Sequence, residues 1–240
     1  MTRFFIDKID GQAHLITGSD AAHIVRSLRM RVSEELTLCD NNQTEYRAAI
    51  EQISEQGVLV KVISSCACDN EPSVFVTLYQ GVPKSDKMDW IVQKSVELGA
   101  SKICPILLSR CVARPDQKSQ NKKRQRLQKI AEEAAKQSRR GIIPQIEEYL
   151  TLNQALERIK KDDCSLVFYE KGGKQIRQLL PEGVKTVSIF VGPEGGFERE
   201  EVEAIERAGG QSATLGPRIL RTETAPLAAL SVIMELTENL

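Results

Sequence analysis

Three short segments of this 240-residue chain gather glycine, proline and charge in a way that suits a binding site. They are Gly192-Pro193-Glu194-Gly195-Gly196-Phe197, Gly216-Pro217-Arg218-Ile219-Leu220-Arg221-Thr222-Glu223-Thr224-Ala225, and Glu170-Lys171-Gly172-Gly173-Lys174. Glycine lets a backbone approach a ligand closely and leaves its amides exposed. Any one segment alone reads equally well as a tight turn. Each, however, follows an apolar strand-like run, and in α/β sheets ligands bind beyond the carboxyl ends of strands. The chemistry on offer is recognition through backbone amides and carbonyls, with a few charged side chains beside them. A phosphate cradle is not supported: Gly173-Lys174 is followed by Gln175 rather than Ser or Thr, and no G-x-G-x-x-G occurs. There is no nucleophile elbow, and His14 and His23 are the only histidines, so no His-based triad is expected.

A second feature is charge. Lys+Arg is 33 and Asp+Glu is 33, so the net charge is zero, yet residues 110–140 hold eleven Lys/Arg against Asp116, Glu132 and Glu133. A neutral protein with one basic stretch can address a polyanion locally. The plainer alternative is a solvated helix face. A non-catalytic RNA-binding protein would keep the basic stretch but has no use for three glycine-rich loops. A small-molecule enzyme using a nucleotide would keep the loops but not the basic stretch. Together the two features favour an RNA-modifying transferase.

Two regions must position these groups. Residues 1–70 read as a small β-rich unit, with strand-like runs at Arg3–Ile6, Glu35–Cys39, Thr44–Ile50 and Val58–Ile63. A short helix follows Ser19-Asp20, and the close spacing of strands suggests a barrel. The acidic stretch Cys68–Pro72 is the linker candidate. From residue 73 to 240, strands alternate with helices, which implies a mostly parallel sheet covered by helices. Strands are expected at Val74–Tyr79, Ile103–Leu107, Ser165–Tyr169, Thr186–Val191 and Ser212–Leu215. Pro105 argues for an edge or a bend in the second of these. Helices are expected at Asp86–Leu98, Asn121–Arg139, Arg199–Ala208 and Thr224–Thr237. Met88 and Trp90 on the first of them read as core.

The apolar and charged fractions, 41% and 28%, are those of a globular protein. No run of 18 apolar residues is present, and Asp7 and Lys8 interrupt any leader core, so the chain is expected in the cytoplasm. Six scattered cysteines and two histidines offer no zinc-ligand spacing, so reduced thiols and no metal are expected.

The three loop segments, together with Pro83-Lys84-Ser85-Asp86-Lys87-Met88-Asp89-Trp90 and Lys94-Ser95-Val96-Glu97-Leu98-Gly99, resemble the RsmE family of ribosomal RNA small subunit methyltransferases. Glu132 to Arg140, followed by Pro144, resembles the family's basic helix. The likeness runs in order along the whole chain. It implies an α/β, SPOUT-type domain with a C-terminal deep trefoil knot over residues 73–240, preceded by a PUA-like β-barrel RNA-binding domain at 1–70. It also implies S-adenosyl-L-methionine as cofactor, a homodimer, and methylation of N3 of one uridine of 16S rRNA (uracil 1498) in the assembled small subunit. A sister enzyme acting on another RNA, such as tRNA, stays open, because fold does not fix substrate.

Carried onto this sequence, the resemblance places the cofactor at Tyr169 and Glu170, at Gly192, Glu194, Gly195 and Gly196, and at Leu215, Gly216, Ile219, Leu220 and Arg221. A valine at Gly195 is expected to fill space left for the ligand. Uracil N3 is protonated at neutral pH, so a base or a charge-stabilising cation is needed. Arg221 could stabilise charge on a uracil oxygen and Glu223 could accept the proton; a structural ion pair or a helix-start carboxylate is the alternative for each. N3 lies on the Watson–Crick edge, so the target must be unpaired or flipped out. The cations expected on RNA phosphates are Arg26, Arg29, Arg31, Lys84, Arg110, Arg114, Lys122, Lys123, Arg124, Arg139 and Arg140.

Overall fold

The computed structural model describes all residues except Met1, Lys8 and Asp10; the reading at Lys8 lies outside the described residues. The chain divides into two units, residues 1–71 with 135–143, and residues 72–134 with 144–240. Residues 135–143, which the sequence reading left in the second domain, thus group with the first unit.

The first unit holds β1 (Arg3–Phe5), β2 (Ala13–Ile16), α1 (Gly18–Ala22), β3 (Glu35–Cys39), β4 (Thr44–Ser54) and β5 (Gly57–Ala67), and α1 continues as a π-helical turn over His23–Ser27. The strands form one sheet in the order β1-β3-β4-β5-β2, with β1 and β3 parallel and the other pairs antiparallel. Alternate residues of β3 and β5 (Leu36, Leu38; Val58, Val60) bury fully against Phe4 and Ile24, as the two-residue period of a half-buried strand requires. Arg140 is buried in this unit. Its guanidinium donates to both oxygens of the buried Glu71 carboxylate, at 2.9 and 2.7 Å, and Glu71 also accepts from the Gly141 N–H at 2.7 Å. Arg3 is likewise buried, donating to Glu45 and, at 2.8 Å, to the Arg140 carbonyl.

The second unit runs β6 (Phe75–Gly81), α2 (Lys87–Glu97), β7 (Lys102–Leu107), α3 (Gln117–Gln137), β8 (Gln145–Ile146), β9 (Leu150–Thr151), α4 (Leu152–Ile159), β10 (Cys164–Phe168), β11 (Lys174–Gln175), α5 (Ile176–Leu179), β12 (Thr186–Val191), α6 (Arg199–Arg207), β13 (Gln211–Thr214) and α7 (Ala225–Leu236). The last three residues of α3 fall in the first unit. Its sheet has the order β11-β13-β10-β12-β6-β7-β8, with β9 also on β7, and every pair is parallel. Strands covered on both faces read as continuous apolar runs, and Val187, Ile189, Phe190 and Val191 of β12 are all buried. Tyr79 and Phe190, side by side on β6 and β12, stack at 4.6 Å.

Pro105 stands in neither an edge strand nor a bend. β7 is an interior strand; β8 pairs with Lys102 and Ile103, and β9 with Ile106 and Leu107. Pro105 falls between those two short partners, where its missing N–H breaks no ladder. Met88 is buried, but Trp90 is 52% exposed, with the Lys94 ammonium 5.1 Å from its ring. Two residues from Met88, Trp90 falls on the opposite side of α2. Burial pushes the Cys104 thiol up to about 12 and those of Cys39 and Cys164 up to about 11, so these cysteines are protonated packing groups. Among the described residues no helix is long and apolar enough to cross a membrane.

Candidate active site

The three glycine-rich loops leave the carboxyl ends of β10, β12 and β13, which are neighbours in the sheet. They enclose a cavity of about 940 Å³. Tyr169, Glu170, Gly192, Glu194, Gly195, Gly196, Leu215, Gly216, Ile219, Leu220 and Arg221 all lie on its wall, with Lys87, Phe168, Lys171, Val191, Phe197 and Arg218 among the others. The wall therefore combines apolar side chains, loop backbone and an excess of cations: Lys87, Lys171, Arg218 and Arg221 against Glu170 and Glu194.

The loops hold one another by close backbone contact. A Cβ at Gly81, the last residue of β6, would stand 2.6 Å from the Pro193 ring, so only glycine lets β6 and the loop after β12 meet there. From β13 the chain crosses the end of β10 to reach that loop. There the Thr222 hydroxyl donates to the Gly192 carbonyl at 2.7 Å, and the fully buried Gln80 amide donates to Thr222 Oγ1 at 3.1 Å and to the Gly81 carbonyl at 3.0 Å. A Cβ at Gly195 would meet Arg110 Cβ at 3.1 Å. Substitution at Gly195, itself on the cavity wall, thus presses first on Arg110.

The acidic and basic groups sort into two kinds. Lys87 Nζ lies 3.1 Å from Glu194 Oε1 and 3.1 Å from Glu223 Oε2, strapping the start of α2 to the loops after β12 and β13. Hydrogen bonds to Glu223 and Glu194 raise the Lys87 pKa. Burial would push both carboxyls up, but backbone N–H groups and the Lys87 ammonium outweigh it and hold them below the usual carboxylate range. Glu194 also accepts from the Lys84 N–H at 3.1 and 3.2 Å. Glu223 is not part of the cavity wall; its Oε2 is buried behind Lys87. The contact with Lys87 matches the structural ion pair given as the alternative for Glu223. Arg221 is the opposite case. It is exposed on the wall and, among the described residues, makes no direct ion pair or side-chain hydrogen bond, although its charge helps hold the nearby Glu223 carboxyl low.

The expected RNA-binding cations divide in the same way. Arg140 is buried on Glu71, which removes it from any phosphate. Arg110 donates to both oxygens of Glu198 at 2.8 and 2.9 Å and to the Gly195 carbonyl at 2.7 Å, so its guanidinium buttresses the loop after β12. Arg114 donates to the Leu108 and Ser109 carbonyls at 2.8 and 3.1 Å. Arg26, Arg29, Arg31, Lys84, Lys122, Lys123 and Arg139 are exposed, and Arg124 is half-buried with Glu148 at 3.4 Å. Sequence reasoning missed Lys87, Gln80 and Thr222 as site residues. The one signal for Lys87 was its place in the Pro83–Trp90 segment, at the start of a helix.

The chain matches a family profile described as an RNA methyltransferase domain over residues 70–234, and one described as an RNA methyltransferase PUA domain over residues 16–63. It is 38% identical over 253 aligned positions to the ribosomal RNA small subunit methyltransferase E of Bacillus subtilis (strain 168), covering 100% of this chain and 98% of that one. A ribosomal RNA small subunit methyltransferase E from Neisseria gonorrhoeae, solved bound to S-adenosyl methionine, matches with a TM-score of 0.90 at 29% identity over 98% of both chains. A Legionella pneumophila methyltransferase in complex with S-adenosylmethionine matches at 0.89 and 31% identity, over 98% of this chain and 97% of that one.

Proposed function

Because the chain belongs to the ribosomal RNA small subunit methyltransferase E family, with an α/β SPOUT-type domain and a PUA-like domain, we propose that it methylates N3 of one uridine of 16S rRNA from S-adenosylmethionine. The observation that carries this reading is the single cavity formed by three strand-end loops, with the exposed Arg221 on its wall. Its volume lies within the range of small-molecule sites. Backbone groups of the three loops, with Phe168, Val191, Leu215 and Leu220, would hold the cofactor, and Glu170 and Glu194 suit its cationic groups. When bound, S-adenosylmethionine supplies a methyl group already activated on a sulfonium sulfur.

The protein's task is to present N3 without its proton. Once that proton leaves to solvent, the charge spreads over the uracil oxygens, where the Arg221 guanidinium stabilises it. Glu223 and Glu194 act through Lys87, fixing the wall beside it. Arg26, Arg29, Arg31, Lys84, Lys122, Lys123, Arg124 and Arg139 contact phosphates, which positions the RNA without reading its sequence. The choice of uridine comes from RNA shape in the assembled small subunit. The bond of Thr222 to the Gly192 carbonyl, with Gln80 donating to Thr222, supports a knotted C-terminal segment. Homodimerisation is supported by the exposed apolar Trp90, Val232 and Leu236 on the mutually packed α2 and α7.

The test incubates purified protein and S-adenosylmethionine with small subunits lacking the modification, and maps the methyl group by mass spectrometry of nucleosides and fragments. One N3-methyluridine in 16S rRNA is expected. A methyl group on another base, or only on transfer RNA, would overturn the reading.

A further inference from the structure

Resting on the reading of the chain as an RNA methyltransferase, we propose that the groove between α2, α3 and β8 binds a single-stranded stretch of the RNA substrate. The groove lies wholly within the second unit, holds about 950 Å³, and shares no residue with the cofactor cavity. Lys122, Gln125 and Lys129 follow one another at spacings of three and four along α3, which puts them on one face of the helix. Ile130 and Ile146 make its apolar part, and Gln145 stands on the facing strand β8.

Three properties of these residues point to a nucleic-acid strand. Lys122 and Lys129 are exposed and, among the described residues, pair with no carboxylate. Arg126 beside them is different, being held by Asp89. Glu133 is the one carboxylate on the groove, against Lys122, Arg124, Arg126 and Lys129. The free charge here is therefore positive, which fits a phosphodiester chain. Gln125 and Gln145 are exposed amides without a side-chain partner among the described residues. Each offers a donor and an acceptor side by side, the pattern that base edges present. The isoleucines supply a dry surface for a base. A single strand is favoured because the major-groove edges of A-form RNA lie in a deep, narrow groove and the Watson–Crick edges of paired bases are already engaged. A second protein chain fits less well: two isoleucines, one of them buried, are far from the apolar area that a stable interface needs.

The test compares the wild-type chain with the Lys122→Glu/Lys129→Glu and Gln125→Ala/Gln145→Ala variants. The probe is a labelled single-stranded RNA oligonucleotide, titrated by fluorescence anisotropy over a range of salt. All four positions are exposed, and the melting temperature checks that the variants fold. The charge reversal should weaken RNA binding at least tenfold and lower the slope of log affinity against log salt by about 1.4, at roughly 0.7 per phosphate contact on a single strand. The glutamine variant should alter the preference among poly(A), poly(C) and poly(U) while leaving the salt slope unchanged. Affinity for S-adenosylmethionine should not change in either. RNA affinity and salt slope within twofold of wild type in the charge-reversed protein would overturn the proposal, as would a change of sedimentation mass, which would make the groove a contact between copies. Failure of the wild type to bind S-adenosylmethionine or transfer a methyl group would instead strike the functional reading, because the RNA titration does not depend on turnover.

Discussion

The end of the basic stretch and the segment before the last helix each offer an arginine to a polyanion, and the fold treats them in opposite ways. Arg140 is buried and shares two hydrogen bonds with Glu71. Arg221 stands on the wall of the cavity with no partner for its guanidinium among the described residues. The difference lies in burial and in a carboxylate that Arg140 holds in direct contact and Arg221 does not. A count of charge along the chain therefore overstates the charge free to meet RNA or a reacting base. What matters is which cations the fold leaves unpaired.

The contrast is open to breaking from either side. Glu71→Ala removes a buried carboxylate from the buried Arg140 guanidinium, and losing one partner of a buried pair costs about 3–5 kcal/mol. Denaturant unfolding should show a loss of that order, with methyl transfer per folded molecule unchanged; a loss below about 1 kcal/mol would mean the pair is solvated. Arg221→Ala should do the reverse. Transfer should fall roughly 10²–10³-fold in single-turnover assays, as when one stabilising donor is removed elsewhere, while the melting temperature barely moves.

Lys87→Met tests the strap between these extremes. Removing a charged hydrogen-bond partner from two carboxylates should weaken S-adenosylmethionine binding about tenfold by calorimetry. Because Glu194 and Glu223 titrate below the usual range, the strap is complete above the ordinary carboxylate pKa of about 4.3 and is lost as pH falls through their lowered values. The wild type should therefore lose cofactor affinity on the acid side, and the Met variant should be flatter there. The smallest effect belongs to Lys160→Ala. The Lys160–Glu157 pair is exposed, at 54% and 72%, and its loss should leave the unfolding midpoint where it was.

Much of the fold was legible because its periods are strong. Thr186–Val191, rich in β-branched and apolar residues, forms β12 over the same residues. α6 and α7 begin within a residue of their expected starts, helped by Pro226 in the first turn of α7. Shorter elements escaped. β2 is four residues with His14 in it, and β8, β9 and β11 are two residues each, too short to show alternation. α4 carried a readable signal that went unused: Thr151 caps it and accepts from the Gln154 N–H three residues on.

At the candidate site, the loops could be found because glycine and proline are local marks. The pairings could not. Lys87 matters through Glu194 and Glu223, more than a hundred residues away, and Arg140 through Glu71, across 69 residues. No window of sequence contains both members. The glycine at 195 shows the same limit, since the atom it spares belongs to Arg110.

The central claim is that the three loops form a cofactor cavity whose free cation serves the chemistry and not the binding. Titration calorimetry with S-adenosylmethionine on the wild type and on Arg221→Ala, each followed by single-turnover transfer to unmodified small subunits, tests it directly. The account predicts one cofactor bound per chain with similar affinity in both proteins, and transfer only by the wild type. No binding by the wild type, or transfer by Arg221→Ala at the wild-type rate, would contradict it.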